Sequence, residues 1–112
     1  MSLTSRTMGD VSVVNVDVDR IDAAIAIQFK EDMRAATQDG APRVILDLSK
    51  VDFIDSSGLG AIVAIRKQLG EERQLDLAGL TSTVKKVFQL TRMDTVFKIY
   101  PDAETAVSAA AA

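Results

Sequence analysis

The sequence predicts an α/β fold: a mostly parallel central sheet, an antiparallel hairpin at its N-terminal edge, and about four helices. Three observations carry this expectation. Short apolar runs alternate along the chain with stretches whose apolar residues recur at helical spacing, the pattern of parallel β–α–β connections with right-handed crossovers. Gly9-Asp10 alone divides the first two runs, a spacing that suits a hairpin, although Gly-Asp is a less usual order than Asp-Gly. The length of 112 residues suits one domain spanning residues 1–112.

Each element follows in order. TSRTM (Thr4–Met8) pairs with VSVVNVDV (Val11–Val18), which is rich in β-branched residues. From Asp22 the period changes: Ile25, Phe29, Met33 and Ala36 recur at helical spacing, with Lys30, Glu31 and Arg34 on other faces. Asp22 stands at the expected N-cap, and Gly40 with Pro42 supplies a stop. RVILDLS (Arg43–Ser49) reads as a buried central strand. The second helix, ending near Gly70, is expected to present Leu59, Ile62, Val63, Arg66 and Leu69 on one face. QLDLAGL (Gln74–Leu80) alternates as a strand, and TSTVKKVFQLTRM follows as a helix with Val84, Val87, Phe88 and Thr91 on one side. TVFKIY is a last short strand, and Pro101 opens a final Ala-rich helix. In such sheets, binding sites gather beyond the carboxyl ends of the strands. Three loops emerge there: residues 19–22, 52–57 and 79–83.

Composition removes several classes of chemistry. A net charge of −3 argues against a chain that coats nucleic acid, and no nucleic-acid partner is expected. With no cysteine and no histidine, disulfides, thiolate nucleophiles and a Ser-His-Asp triad within this chain are excluded. Catalytic residues, a metal site and a cofactor are not expected. No stretch of 18 apolar residues suggests a membrane span, and MSLTSRTMGD lacks an apolar signal core. The expected location is the cytoplasm.

One corner stands apart. In DFIDSSGLGAIVAI (Asp52–Ile65) an apolar run breaks for an acid, two serines and two glycines, then resumes as a helix. Asp55 or Ser56 can cap that helix, accepting hydrogen bonds from its first turn. The glycine of a nucleophile elbow is missing, because Ile54 and Asp55 stand where it is needed. The lysine of a P-loop is missing too, because Ala61 follows Gly60. Asp47, Asp52 and Asp55 read more simply as solvated or capping acids than as a metal cluster. What remains is a hydroxyl at a helix N-terminus with an acid beside it. Such a hydroxyl could accept a phosphoryl group, adding about −1.5 to −2 charges and three acceptor oxygens.

VILDLSKVDFIDSSGLGAIVAIRKQL, with TSTVKKVFQLTRMDTVFKI downstream, strongly resembles a STAS domain of the type found in bacterial anti-sigma factor antagonists. The order of elements extends the likeness over nearly the whole chain. The resemblance implies partner switching. In that family the unphosphorylated antagonist binds an anti-sigma factor that is also a serine kinase of the histidine-kinase-like ATPase class. The kinase phosphorylates the antagonist and weakens the complex, and a PP2C-type phosphatase reverses the mark. The family's phosphoacceptor falls on Ser56, with Ser57 the second candidate. Partner-binding residues would be Asp22, Asp55, Ser57, Gly58, Leu59 and Gly60. The family often has a Gly-x-Leu/Ile-Asp corner before its first helix; here it reads DRID, with Asp19 in the glycine's place. The alternatives are a STAS module controlling secretion, biofilm formation or a signalling enzyme, or a non-phosphorylated STAS subunit of a transport complex. A monomer is the expected state.

Overall fold

The computed structural model describes residues 3–111. Strands β1 (Leu3–Met8) and β2 (Val11–Val16) form the N-terminal hairpin, and a two-residue strand β3 (Arg20–Ile21) precedes helix α1 (Ala26–Ala36). β4 (Arg43–Asp47), the two-residue β5 (Phe53–Ile54) and α2 (Ser56–Leu69) follow. The chain then runs through β6 (Gln74–Ala78), α3 (Ser82–Leu90), a 3-10 turn (Met93–Thr95), β7 (Ile99–Tyr100) and α4 (Ala103–Ala111). Five strands form one sheet in the order β1-β2-β4-β6-β7, antiparallel at β1–β2 and parallel elsewhere. The predicted fold class and edge hairpin are therefore present. The turn works because Gly9 takes φ +61°, a left-handed conformation that costs glycine little.

The central strands are covered on both faces, which is why they read as nearly continuous apolar runs. Val14, Leu46 and Leu77 lie opposite one another across three strands and are buried with Phe29 and Met33 of α1, Ala61, Ile62 and Ile65 of α2, and Val84 and Phe88 of α3. The next row points the other way. Val11, Val13, Ile45 and Ala78 pack with Ala103 and Ala106 of α4. The alanines let that helix lie close against the sheet. Arg73 ties the start of β6 to the turn after α1, its guanidinium donating to the carbonyls of Thr37 and Ala41 at 2.9 Å each.

The structure corrects several details. α1 begins at Ala26, and its cap residue Ile25 makes no side-chain bond. Asp22 is thus not the N-cap; its carboxylate accepts from Ala24 N–H and its carbonyl from Ile25 N–H, both at 3.1 Å, shaping a turn ahead of the helix. The buried stripe of α2 is Gly58, Ala61, Ile62 and Ile65, while Arg66 is exposed. The predicted face is rotated because Gly58, with no side chain, carries no apolar signal. Strands are shorter than their apolar runs: β2 stops at Val16, β6 at Ala78, and β7 keeps only Ile99–Tyr100 of TVFKIY because Thr95 closes the 3-10 turn. β6 alternates as expected, but its polar position Asp76 is buried as well, accepting from Gln74 Nε2 at 2.9 Å. Thr91 is exposed at the end of α3, bonding back to the Val87 carbonyl. Pro101 lies ahead of α4, whose first turn is capped by Asp102 through Thr105 N–H at 2.7 Å.

Phe88 is fully buried and meets Phe97 edge-on at 6.1 Å between ring centroids. Phe88→Ala is expected to cost about 3–5 kcal/mol, whereas Leu90→Ala, at a side chain 78% exposed, should change stability by about 0.5 kcal/mol or less. Urea denaturation of the two variants checks the contrast.

Candidate functional site

The site is built where two loops are drawn together at the carboxyl end of the sheet. β3 and β5 pair in parallel, Arg20 opposite Phe53 and Ile21 opposite Ile54, forming a separate two-stranded sheet. Sequence reading treats both segments as loops, since two residues are too few to show a period. The Asp19 carbonyl accepts from the amides of Asp52 at 2.7 Å and Phe53 at 3.3 Å, fastening the start of this pairing. Among the described residues the one non-glycine with positive φ is Arg92. Asp19 therefore takes the glycine's place in the DRID corner without a left-handed backbone.

β5 delivers the chain into α2 with almost no slack. Asp55 is the N-cap, in extended conformation, and its Oδ1 accepts from Gly58 N–H at 2.9 Å. Its Oδ2 accepts from Ala23 N–H at 3.1 Å. One carboxylate thus caps α2 and ties down the turn that leads into α1. The Gly58 amide foremost, then those of Ala23 and Ser57 and the Arg20 charge, hold the Asp55 carboxyl below the usual carboxylate range, against the opposing effect of burial.

Gly58 allows the close approach. A Cβ there would stand 2.0 Å from the Ile21 carbonyl oxygen and 2.9 Å from an Ile54 side-chain carbon. The same Ile21 carbonyl accepts Asp55 N–H at 3.3 Å. Gly60 is different: a Cβ there would meet nothing within 4 Å.

The predicted site residues therefore separate. Ser56, Ser57 and Gly60 are exposed. Asp55 and Gly58 are held in the packing of the corner, and Leu59 is half-buried against the core. Asp22 is half-buried and bonds Arg20 Nε at 2.9 Å. Two residues were not anticipated. Phe53 exposes 41% of its surface, a large apolar ring at the site, and the Arg20 guanidinium lies 4.6 Å from its centroid. The only signal for them was the pairing of DRID with DFID, which becomes visible once the strands are laid side by side.

Ser56 and Ser57 sit on open surface. A cleft of about 630 Å³ runs along β7 and another of about 620 Å³ lies between the end of α2 and the start of β6, and neither is lined by these serines. Among the described residues no group of His, Cys, Asp or Glu has a metal-holding arrangement, and no helix is long and apolar enough to cross a membrane. An exposed hydroxyl on a fixed turn, outside any cleft, suits contact with another protein better than enclosure of a small substrate.

The family model for the STAS domain matches residues 2–106. The chain belongs to the STAS domain family. BtrV of Bordetella bronchiseptica, which carries the name of an anti-sigma factor antagonist, is 31% identical over 90 residues, spanning 80% of this chain and 78% of that protein. The crystal structure of an anti-sigma factor antagonist from Mycobacterium paratuberculosis superposes with a TM-score of 0.85 at 29% identity, covering 96% of this chain and 91% of that one. The role those names carry is regulatory, not enzymatic. The STAS fold also occurs within the murine anion transporter Slc26a9, where 91% of this chain matches 18% of the transporter with a TM-score of 0.74 at 23% identity. That likeness is one of fold alone.

Gly58→Ala is expected to destabilise the protein by at least about 2 kcal/mol, through the clash with Ile21. Gly60→Ala should be neutral or stabilise by up to about 1 kcal/mol, from helix propensity. Thermal and urea denaturation of the pair measures the difference; equal effects would remove the packing role assigned to Gly58.

Proposed function

We propose that this STAS domain is a phosphorylation-controlled anti-sigma factor antagonist and that Ser56 is its phosphoacceptor. Its partner is an anti-sigma factor that is also a serine kinase of the histidine-kinase-like ATPase class, and a PP2C-type phosphatase resets it. These proteins meet in the cytoplasm. The observation that carries the reading is the exposed Ser56 at the first residue of α2, immediately after an Asp55 whose carboxylate is occupied by backbone amides. The names of the relatives support the regulatory role.

The chemistry is simple. The kinase transfers the γ-phosphoryl group of ATP to Ser56 Oγ, releasing ADP and the hydroxyl proton. The phosphatase hydrolyses the ester, returning the serine and inorganic phosphate. The domain's own part is presentation. Asp55 and Gly58 fix the start of α2, so the hydroxyl is offered on a preformed turn. The contact surface comprises Ser56, Ser57 and Gly60, flanked by Asp22 and Leu59. Added negative charge at its centre changes which partner fits, without a need to unfold the corner.

A pull-down with the unmodified chain identifies the kinase partner, and mass spectrometry after incubation with it and ATP locates the mark. Modification at Ser56 is expected, with Ser57 unmodified. By calorimetry, Ser56→Ala should bind the partner as tightly as wild type and stay bound when ATP is added, and Ser56→Asp should bind at least roughly tenfold more weakly. An active kinase that leaves Ser56 untouched, or equal affinities across the three forms, contradicts the proposal.

A further inference from the structure

Arg20 is the one basic residue of the two loops, 19–22 and 52–57, and phosphoacceptor chemistry leaves it without a task. It lies opposite Phe53 in the β3–β5 pair, and β5 runs directly into Asp55 and Ser56. Its hydrogen bond is from Nε to Asp22 Oδ2 at 2.9 Å, and its planar group lies against the exposed Phe53 ring. The side chain is 56% exposed. Both terminal guanidinium nitrogens make no hydrogen bond among the described residues, so they remain available as donors. Such a half-exposed single-point ion pair is readily exchanged for a better one.

We propose, on the reading that Ser56 is phosphorylated, that Arg20 receives the phosphate: phosphoserine at 56 draws the guanidinium away from Asp22 into a two-point ion pair, uncovering the Asp22 carboxylate and the Phe53 ring. The competition favours the phosphate. It carries nearly two negative charges on three acceptor oxygens, against one charge on Asp22, and the arginine fork matches it with parallel donors. The local chain is otherwise acidic, with Asp19, Asp22, Asp52 and Asp55 in the two loops, so the phosphate needs a cation. The Asp55 carboxylate is already taken up by the amides of Ala23 and Gly58 and is a poor competitor for Arg20. The backbone holding Arg20 is fastened by the β3–β5 pairing, so the side chain moves and the loops stay. The mark at Ser56 is thereby passed to the β3–α1 turn. A partner that rests on the Arg20-covered ring of Phe53 meets an open carboxylate and a displaced guanidinium.

The test uses the full chain with Ser56→phosphoserine, installed during translation so that no kinase is required. Its phosphate is titrated by phosphorus-31 NMR, alone and together with Arg20→Gln, Arg20→Lys or, as a control, Arg34→Gln, whose arginine pairs with Glu31 on α1. Loss of the Arg20 cation should raise the second phosphate pKa by roughly half a unit, about a threefold gain in proton affinity. Arg20→Lys should restore part of the shift, because it keeps the charge and loses the fork. Arg34→Gln should leave it unchanged. An identical phosphate pKa with and without Arg20 overturns the inference. That result would leave Ser56 as phosphoacceptor, while failure of a kinase to modify Ser56 would leave this titration unaffected.

Discussion

The start of α2 rests against the carbonyl of Ile21, and this contact exists because residue 58 has no side chain. The 2.0 Å separation that a Cβ would have from that oxygen leaves no room for adjustment, since the obstructing atom is backbone. From this approach the rest of the corner follows. Asp55 comes within reach of two amides from different elements, β3 can pair with β5, and Ser56 is turned outward at the first position of a capped helix. The sheet beneath supplies a rigid base through burial on both faces, but it does not by itself bring the DRID turn to the serine.

The arrangement divides labour between groups that hold and groups that face outward. Asp55 and Gly58 are committed to the fold, and their chemistry is spent on backbone donors and close packing. Ser56, Ser57, Gly60 and Phe53 are exposed. Such a division suits a protein whose signal is a change of surface charge. On the proposed reading, a phosphoryl group added to this fixed turn would alter the potential that a partner meets and leave the hydrogen bonds beneath it in place.

The fold was largely legible because both faces of the sheet are covered: VSVV, RVIL and the helical spacing of Phe29 and Met33 are direct imprints of burial. The DSSGLG corner was legible as a cap, since Asp55 accepts from Gly58 N–H at the start of α2. What escaped was of two kinds. The β3–β5 pair is made of two-residue strands whose partners stand 33 positions apart in sequence, and no local pattern encodes it. The inward face of α2 was misplaced because Gly58 is buried by closeness rather than by apolar surface. Arg20 and Phe53 were missed for the first of these reasons: neither means much until DRID lies beside DFID.

The central claim is that Ser56 sits on a frame that its own modification does not dismantle. The amides of Ala23 and Gly58 report on that frame, since both are held by the Asp55 carboxylate. Amide hydrogen exchange at these two positions, compared between the unmodified chain and the same chain phosphorylated at Ser56, measures it directly. The account predicts exchange rates that agree within about threefold. A loss of protection of about tenfold or more at both amides would mean that the mark works by unfastening the helix start, and would contradict a switch of charge on a standing structure.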